Sequence, residues 1–268
     1  MHGLFVTGTD TGVGKTVVAA AICAALAARG ERVAAFKPVV TGTDDDSGDW
    51  PPDHELLATS ANAGQTAADV APITLGPPLS PHYAAEIANA TIDPAHLRAV
   101  AHSAAALAGG TASAEPIGRT TPAESAAAGG FPSSDSQADR ESPRRRVPQP
   151  PGALICEGVG GLLVPLTPDY SIRDLAVDLA LPLIVVARTG LGTINHTLLT
   201  VGAARAAGLT VAGIVMTPWP EHPEPIERSN RTTIERLSGI PVSGLPLATR
   251  DTLAAAGGTL PLDDWLRP

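Results

Sequence analysis

Aromatic side chains are scarce: Phe, Trp and Tyr make up 3% of the 268 residues. A core here has to be assembled from Ala, Val, Leu and Ile, as in α/β proteins with alternating strands and helices. Cysteine is nearly absent. Cys23 and Cys156 stand alone in a chain this long, which excludes a disulfide scaffold and fits a reducing compartment. Positive charge is in deficit, with 18 Lys and Arg against 27 Asp and Glu and a net charge of −9. That balance argues against a nucleic-acid binder, which usually shows a basic face, but leaves room for a local basic pocket. No apolar run approaches the ~20 residues needed to span a bilayer. The N-terminus enters a strand within a few residues, without a leader pattern. The expectation is a soluble, cytoplasmic protein with no nucleic-acid or membrane partner.

What is present is a regular alternation. "LFVT" reads as a buried strand, followed by a glycine-rich turn and a helix from about Thr16 to Ala28, "TVVAAAICAALAA". That helix is apolar all round, so it should be covered on most sides. "RVAAFKPVVTG" is a second strand and its exit. After a polar loop at 43–53 come helices in "HELLATSANAG" and "PAHLRAVAHSAAALAGG". The series resumes with the strand "ALICEG", the helix "SIRDLAVDLA", the strand "LPLIVVA", the helix "INHTLLTVGAARAAG", the strand "LTVAGIVMT", the helix "PIERSNRTTIERLSG" and the strand "PVSGLP". Continuous β-branched runs between helices predict a mostly parallel sheet covered on both faces. Between them, 109–151 turns to Ala, Ser, Gly, Pro and Arg. It lacks the apolar content to offset its ordering entropy. The organisation expected is one domain from 1–108 and 152–268, interrupted by a disordered insertion.

The stretch "GTDTGVGKT", residues 8–16, carries the first chemistry. The phosphate-loop pattern is G-x-x-x-x-G-K-S/T. Gly14, Lys15 and Thr16 match its second half, whereas Thr9 holds the first glycine's place and Gly8 sits one residue early. The physics survives the shift. Small residues let successive backbone N–H groups point at a phosphate, and the following helix adds its N-terminal dipole. Lys15 supplies a cation for the β- and γ-phosphates, and the Thr16 hydroxyl can ligate Mg²⁺. The alternative is a plain strand–helix turn with a solvated lysine.

Glu157 ends the apolar strand, where the carboxyl edge of a parallel sheet faces the ligand crevice. It is read as a Mg²⁺ ligand or as a turn carboxylate. Asp53 precedes a helix and is read as a ligand or as a cap. Lys37 lies at the exit of the second strand, beside the first strand's end if sequential strands are neighbours. A second ammonium there suits phosphorylation of an acceptor other than water; otherwise it is a snorkelling strand-end lysine.

At "GTDTGVGKT", "FKPVVTG", "SPHYAAE", "EGVGGLLVPL", "LGTINHTLLT" and "GLTVAGIV" the chain resembles the dethiobiotin synthetases. The motifs recur in that family's order and cover nearly everything outside 109–151. The resemblance implies a P-loop NTPase-type α/β fold and an ATP-dependent cyclo-ligase of biotin biosynthesis. A 7,8-diaminononanoate amine takes up CO2, the carbamate attacks the γ-phosphate, and the other amine closes the ureido ring.

Carried onto this sequence, the resemblance makes Lys37 and Lys15 catalytic. Thr16, Asp53 and Glu157 become the Mg²⁺ ligands. The nucleotide falls to Gly12, Val13, Gly14, Lys15, Thr16 and Val17, to Asp53, and to Glu157, Gly158, Val159 and Gly160. Thr217, Pro218, Pro246, Leu247 and Ala248 complete that set. Thr11, Lys37 and Thr41 would contact the substrate. Leu191, Gly192, Ile194 and Asn195 would serve the site of a neighbouring subunit in a homodimer. For Asn195 and His196 the other reading is helix capping. His82 is read as a structural loop residue.

Two departures bear on the chemistry. Many members carry Glu where this chain has Gly12, and many read the base with an asparagine where it has Thr217 and Pro218. The second departure predicts relaxed base selectivity, so that ATP or another NTP could serve. Two rival readings remain: a cobyrinate-type amide ligase and a partitioning or regulatory P-loop ATPase. The first would need a glutaminase cysteine, and no cysteine follows Cys156. The second would need an attachment surface, and the one basic run, Arg144 to Arg146, sits among prolines.

Overall fold

Apolar residues spaced two apart build the centre of the sheet. The structure, a computed structural model, describes residues 1–45, 50–110 and 152–267. In β1 (Gly3–Gly8), Leu4 and Val6 face one core while Phe5 faces the other. In β5 (Ala153–Gly161), Ala153 and Ile155 join the first core, Leu154 and Cys156 the second. This period of two, with both faces apolar, is what a strand buried on both sides requires.

Four further strands, β2 (Val33–Phe36), β8 (Leu183–Ala187), β9 (Val211–Trp219) and β10 (Val242–Pro246), complete a six-stranded sheet. Its order is β10-β9-β8-β1-β5-β2, and every pairing is parallel. The sequence-based expectation that β1 and β2 are neighbours is not met, because β5 lies between them. The crossover through the first helix skips one strand position, and the later strand fills it. That insertion places Glu157 between the ends of β1 and β2.

Helix α1 (Lys15–Ala28) buries Val18 to Cys23, Ala25 and Leu26, as its uniformly apolar character predicts. It packs on the sheet together with α2 (Asp53–Ser60), α9 (Leu253–Gly257) and α10 (Leu262–Trp265). The opposite face is covered by α5 (Pro94–Ala108), α6 (Ile172–Leu179), α7 (Thr193–Ala206) and α8 (Pro225–Ser238). Arg29 and Gly30 end α1, with Gly30 at a φ of 82°, the left-handed stop that glycine favours.

Short elements escaped the sequence reading: α3 (Ala67–Val70), the ladder of β3 (Val40–Thr41) with β4 (Thr74–Leu75), and the ladder of β6 (Pro165–Thr167) with β7 (Tyr170–Ser171). Residues expected as a loop around His82 form α4 (Pro81–Ile87), on which His82 is exposed. Cys23 and Cys156 are free and buried, and burial pushes both thiols up. No helix among the described residues is long and apolar enough to cross a membrane. Apart from Gly109 and Gly110, the expected insertion at 109–151 lies outside the described residues.

Candidate active site

The loop between β1 and α1 closes on Lys15. Its ammonium folds back to donate to the Asp10 carbonyl at 2.9 Å. The offset glycine explains itself: a Cβ on Gly8 would lie 2.9 Å from the Lys15 side chain, the Val13 side chain and the Asp10 carbonyl. Gly14 caps the helix at a φ of 92°, and a Cβ there would meet Thr217 at 2.8 Å. The turn is therefore too tight for side chains at either position, which leaves its peptide groups available to a ligand.

Three elements converge beside this loop. Lys37 follows β2, Glu157 lies within β5, and Asp53 is the first residue of α2. The Lys37 ammonium donates to Asp53 Oδ2 at 2.5 Å and to Glu157 Oε1 at 2.7 Å. The Thr16 hydroxyl donates to the same Glu157 oxygen at 2.8 Å. These contacts overturn the blander readings. Lys37 is 3% exposed and does not snorkel; Glu157 is fully buried and is no turn carboxylate. Asp53 caps nothing, since Pro52 holds the cap position of α2.

The charges shape one another. Burial pulls Lys37 down, but Glu157 and Asp53 outweigh it and hold its pKa above the usual lysine value. Burial pushes the Glu157 carboxyl up against the opposing pull of Lys37. The Lys37 direction favours an ionised pair and the Glu157 direction a shared proton. With two donors converging on Glu157 Oε1, the ionised pair is the form the geometry supports. Burial also opposes ionisation of Asp53, yet Lys37 and Thr16 bring its pKa below the ordinary value. Lys15 is lowered chiefly by burial, with Glu157 opposing.

Two cavities adjoin the loop. The first, about 340 Å³, is lined by Thr11, Lys15, Thr16, Lys37, Asp53 and Glu157, with Thr41, Val159 and Gly160 at its margin. Both lysines thus face one space. The second, about 430 Å³, brings together Val13, Val17, Thr217, Pro218, Pro246, Leu247 and Ala248; Gly12 and Gly14 border both.

Gly158 lines neither cavity. A Cβ there would meet Ile172 at 2.9 Å and Phe5 at 3.2 Å, so glycine is needed for packing. Leu191, Gly192, Ile194 and Asn195 also lie outside both cavities. Leu191 is 91% exposed and Asn195 is exposed. Gly192 caps α7 with no side-chain bond, so neither Asn195 nor His196 is the cap.

Sequence reasoning missed Trp50, which borders both cavities, and Arg188, which borders the larger. A lone tryptophan in a polar loop and an arginine ending a buried strand were the available signals.

A family model described as an AAA domain matches residues 2–118 and 120–246. The ATP-dependent dethiobiotin synthetase BioD of Anoxybacillus flavithermus is 35% identical over 246 residues, covering 91% of this chain and 90% of that protein. The enzyme of the same name from Mycobacterium avium is 36% identical over 274 residues, covering 99% and 98%. The crystal structure of a ParA family ATPase from Chlorobium tepidum superposes with a TM-score of 0.50 at 12% identity, covering 97% of this chain and 91% of that one. This last likeness is one of fold alone. Identity above one third along nearly the whole length of both relatives makes the chain a member of the dethiobiotin synthetase family.

Proposed function

We propose that the chain is an ATP-dependent dethiobiotin synthetase, which closes the ureido ring from 7,8-diaminononanoate, CO2 and a nucleoside triphosphate. The observation that carries this reading is the gathering of Lys15, Lys37, Thr16, Asp53 and Glu157 on one cavity beside the loop that starts α1. A carbamate anion has to approach a polyanionic phosphate, so the site needs cations on both reactants. Lys15 sits in the loop and is the phosphate cation. Lys37 enters from the other wall and is the group for the acceptor side. The carbamate oxygen attacks the γ-phosphorus and the nucleoside diphosphate leaves. The second amine then attacks the carbamoyl carbon and expels phosphate.

Mg²⁺ fits the residues present. Glu157 Oε2 is buried and has no hydrogen-bond partner among the described residues; the Thr16 hydroxyl bonds the same carboxylate, and Lys37 bridges it to Asp53. Two carboxylates and a hydroxyl are too few for an all-protein cage, but they suit an ion that keeps water and phosphate oxygens. Thr16, Asp53 and Glu157 are the residues that would hold it. When bound, the ion supplies charge neutralisation at the β- and γ-phosphates.

The 430 Å³ cavity is the place for base and ribose, and Thr11 and Thr41 border the acceptor. The exposed turn with Leu191, Gly192, Ile194 and Asn195 is read as serving a second subunit of a homodimer. Cytoplasmic localisation and a catalytic domain formed by 1–108 and 152–268 belong to the same proposal. The test is mass-spectrometric detection of dethiobiotin from the diamine, bicarbonate, Mg²⁺ and an NTP. Nucleotide hydrolysis without that product would overturn the reading.

A further inference from the structure

The phosphate end of the crevice is short of positive charge. Lys15 and Lys37 face Asp53 and Glu157 on the same cavity, so two ammonium groups and two carboxylates cancel. A nucleoside triphosphate brings several negative charges, more than one divalent ion offsets. A further cation close to the loop would correct that balance.

Arg188 stands beside that place, on the larger cavity that shares Gly12 and Gly14 with it. β8 runs beside β1, with Val186 opposite Gly8, and the Thr9 amide donates to the Val186 carbonyl at 2.9 Å. The residue that follows β8, Arg188, is therefore delivered to the loop between β1 and α1. Its guanidinium Nη2 donates to the Thr11 carbonyl at 3.0 Å. The backbone beneath it is pinned: Thr193 Oγ1 donates to the Arg188 carbonyl at 2.6 Å, and Asn230 Nδ2 donates to the Thr189 and Gly190 carbonyls. The side chain is exposed and has no carboxylate partner among the described residues. A Cβ on Gly12 would lie 3.9 Å from Nη2, which puts the guanidinium next to the loop's backbone, and both residues line the same cavity.

We infer that Arg188 is a phosphate contact of the nucleotide, a guanidinium on the far side of the loop from Lys37, and that it sets the affinity for the polyphosphate chain. One N–H secures the loop at Thr11, and the remaining donors of its planar fork are free to take phosphate oxygens. The inference rests on the reading of the loop as a nucleotide cradle, not on ring closure.

Calorimetric titration of the full chain with inorganic tripolyphosphate and with ATP, both with Mg²⁺, tests it; tripolyphosphate removes any contribution from the base. Arg188→Ala and Arg188→Gln should each weaken tripolyphosphate about tenfold, as loss of a charge-assisted hydrogen bond does. Arg188→Lys should stay within about threefold, because it keeps the charge. Gln can still donate to the Thr11 carbonyl, so restored affinity in that variant would make Arg188 a brace for the loop and overturn the inference. Unchanged affinity in the Ala variant overturns it as well. A wild-type chain that binds neither ligand removes the nucleotide cradle and Arg188 with it. Normal binding without dethiobiotin formation removes only the ring-closing reading.

Discussion

At the phosphate end of the crevice Lys37 and Glu157 are buried, and polar groups are bonded to one another: Lys37 to Asp53 and Glu157, Thr16 to Glu157. At the other end the wall is Val13, Val17, Trp50, Pro218, Pro246 and Leu247, with Thr217 the buried polar side chain among them and Arg188 at the border with the loop. The first region fixes charge before the ligand arrives, at the cost of desolvating it. The second offers shape and apolar surface and little that can tell one base from another. A preorganised charge cluster is worth most where charge develops in a transition state. An apolar slot contributes affinity and weak discrimination.

That contrast can be broken or sharpened by substitution. The largest effect is expected for Lys37→Ala, which should cut turnover about 100-fold or more while leaving nucleotide affinity nearly intact. Single-turnover product formation beside a binding titration measures the split, and normal product formation would refute the role given to Lys37. Next comes Glu157→Gln, which keeps the shape but removes one of the two charges beside Lys37. Its half-activating Mg²⁺ concentration should rise about tenfold; an unchanged Mg²⁺ titration would take Glu157 out of the ion's reach.

Effects at the base end should be smaller and confined to binding. Trp50→Ala should raise the KM for the nucleotide about threefold to tenfold with kcat little changed, as removal of uniform binding does. A fall in kcat instead would place Trp50 in the chemistry. The smallest difference is expected between nucleotides. ATP, CTP and GTP should support turnover within about tenfold of one another, because Thr217 and Pro218 lack the paired donor and acceptor of an amide. Strong exclusive use of ATP would show that backbone groups read the base. Deleting 112–148 should leave turnover within about twofold, since long insertions cost a domain little; loss of activity would join that segment to the catalytic unit.

The same contrast explains what the sequence made legible. Gly14, Lys15 and Thr16 announce a phosphate loop because few other structures need that trio after a buried strand. Glu157 is conspicuous because a carboxylate inside an apolar run is expensive unless used. Trp50 and Arg188 belong to loops whose position depends on which strands are neighbours, and local pattern carries no information on strand order. The insertion of β5 between β1 and β2 is a long-range choice, invisible to a window of a dozen residues. Gly158 shows a related limit: its place in a glycine-rich strand end suggests a ligand, and only the packing of Phe5 and Ile172 shows what the missing side chain makes room for. Elements of two to four residues, such as β3 and β4, are too short for any periodicity to develop.

Among the described residues β2 is an edge strand whose one sheet neighbour is β5, and Lys37 reaches a carboxylate 120 residues further along the chain. During synthesis the amino-terminal portion therefore emerges with this lysine still lacking Glu157 and its strand still unpaired. The Lys37–Glu157 pair and the join between β1 and β2 are completed by the same late arrival, so a fragment stopping short of residue 153 would have neither.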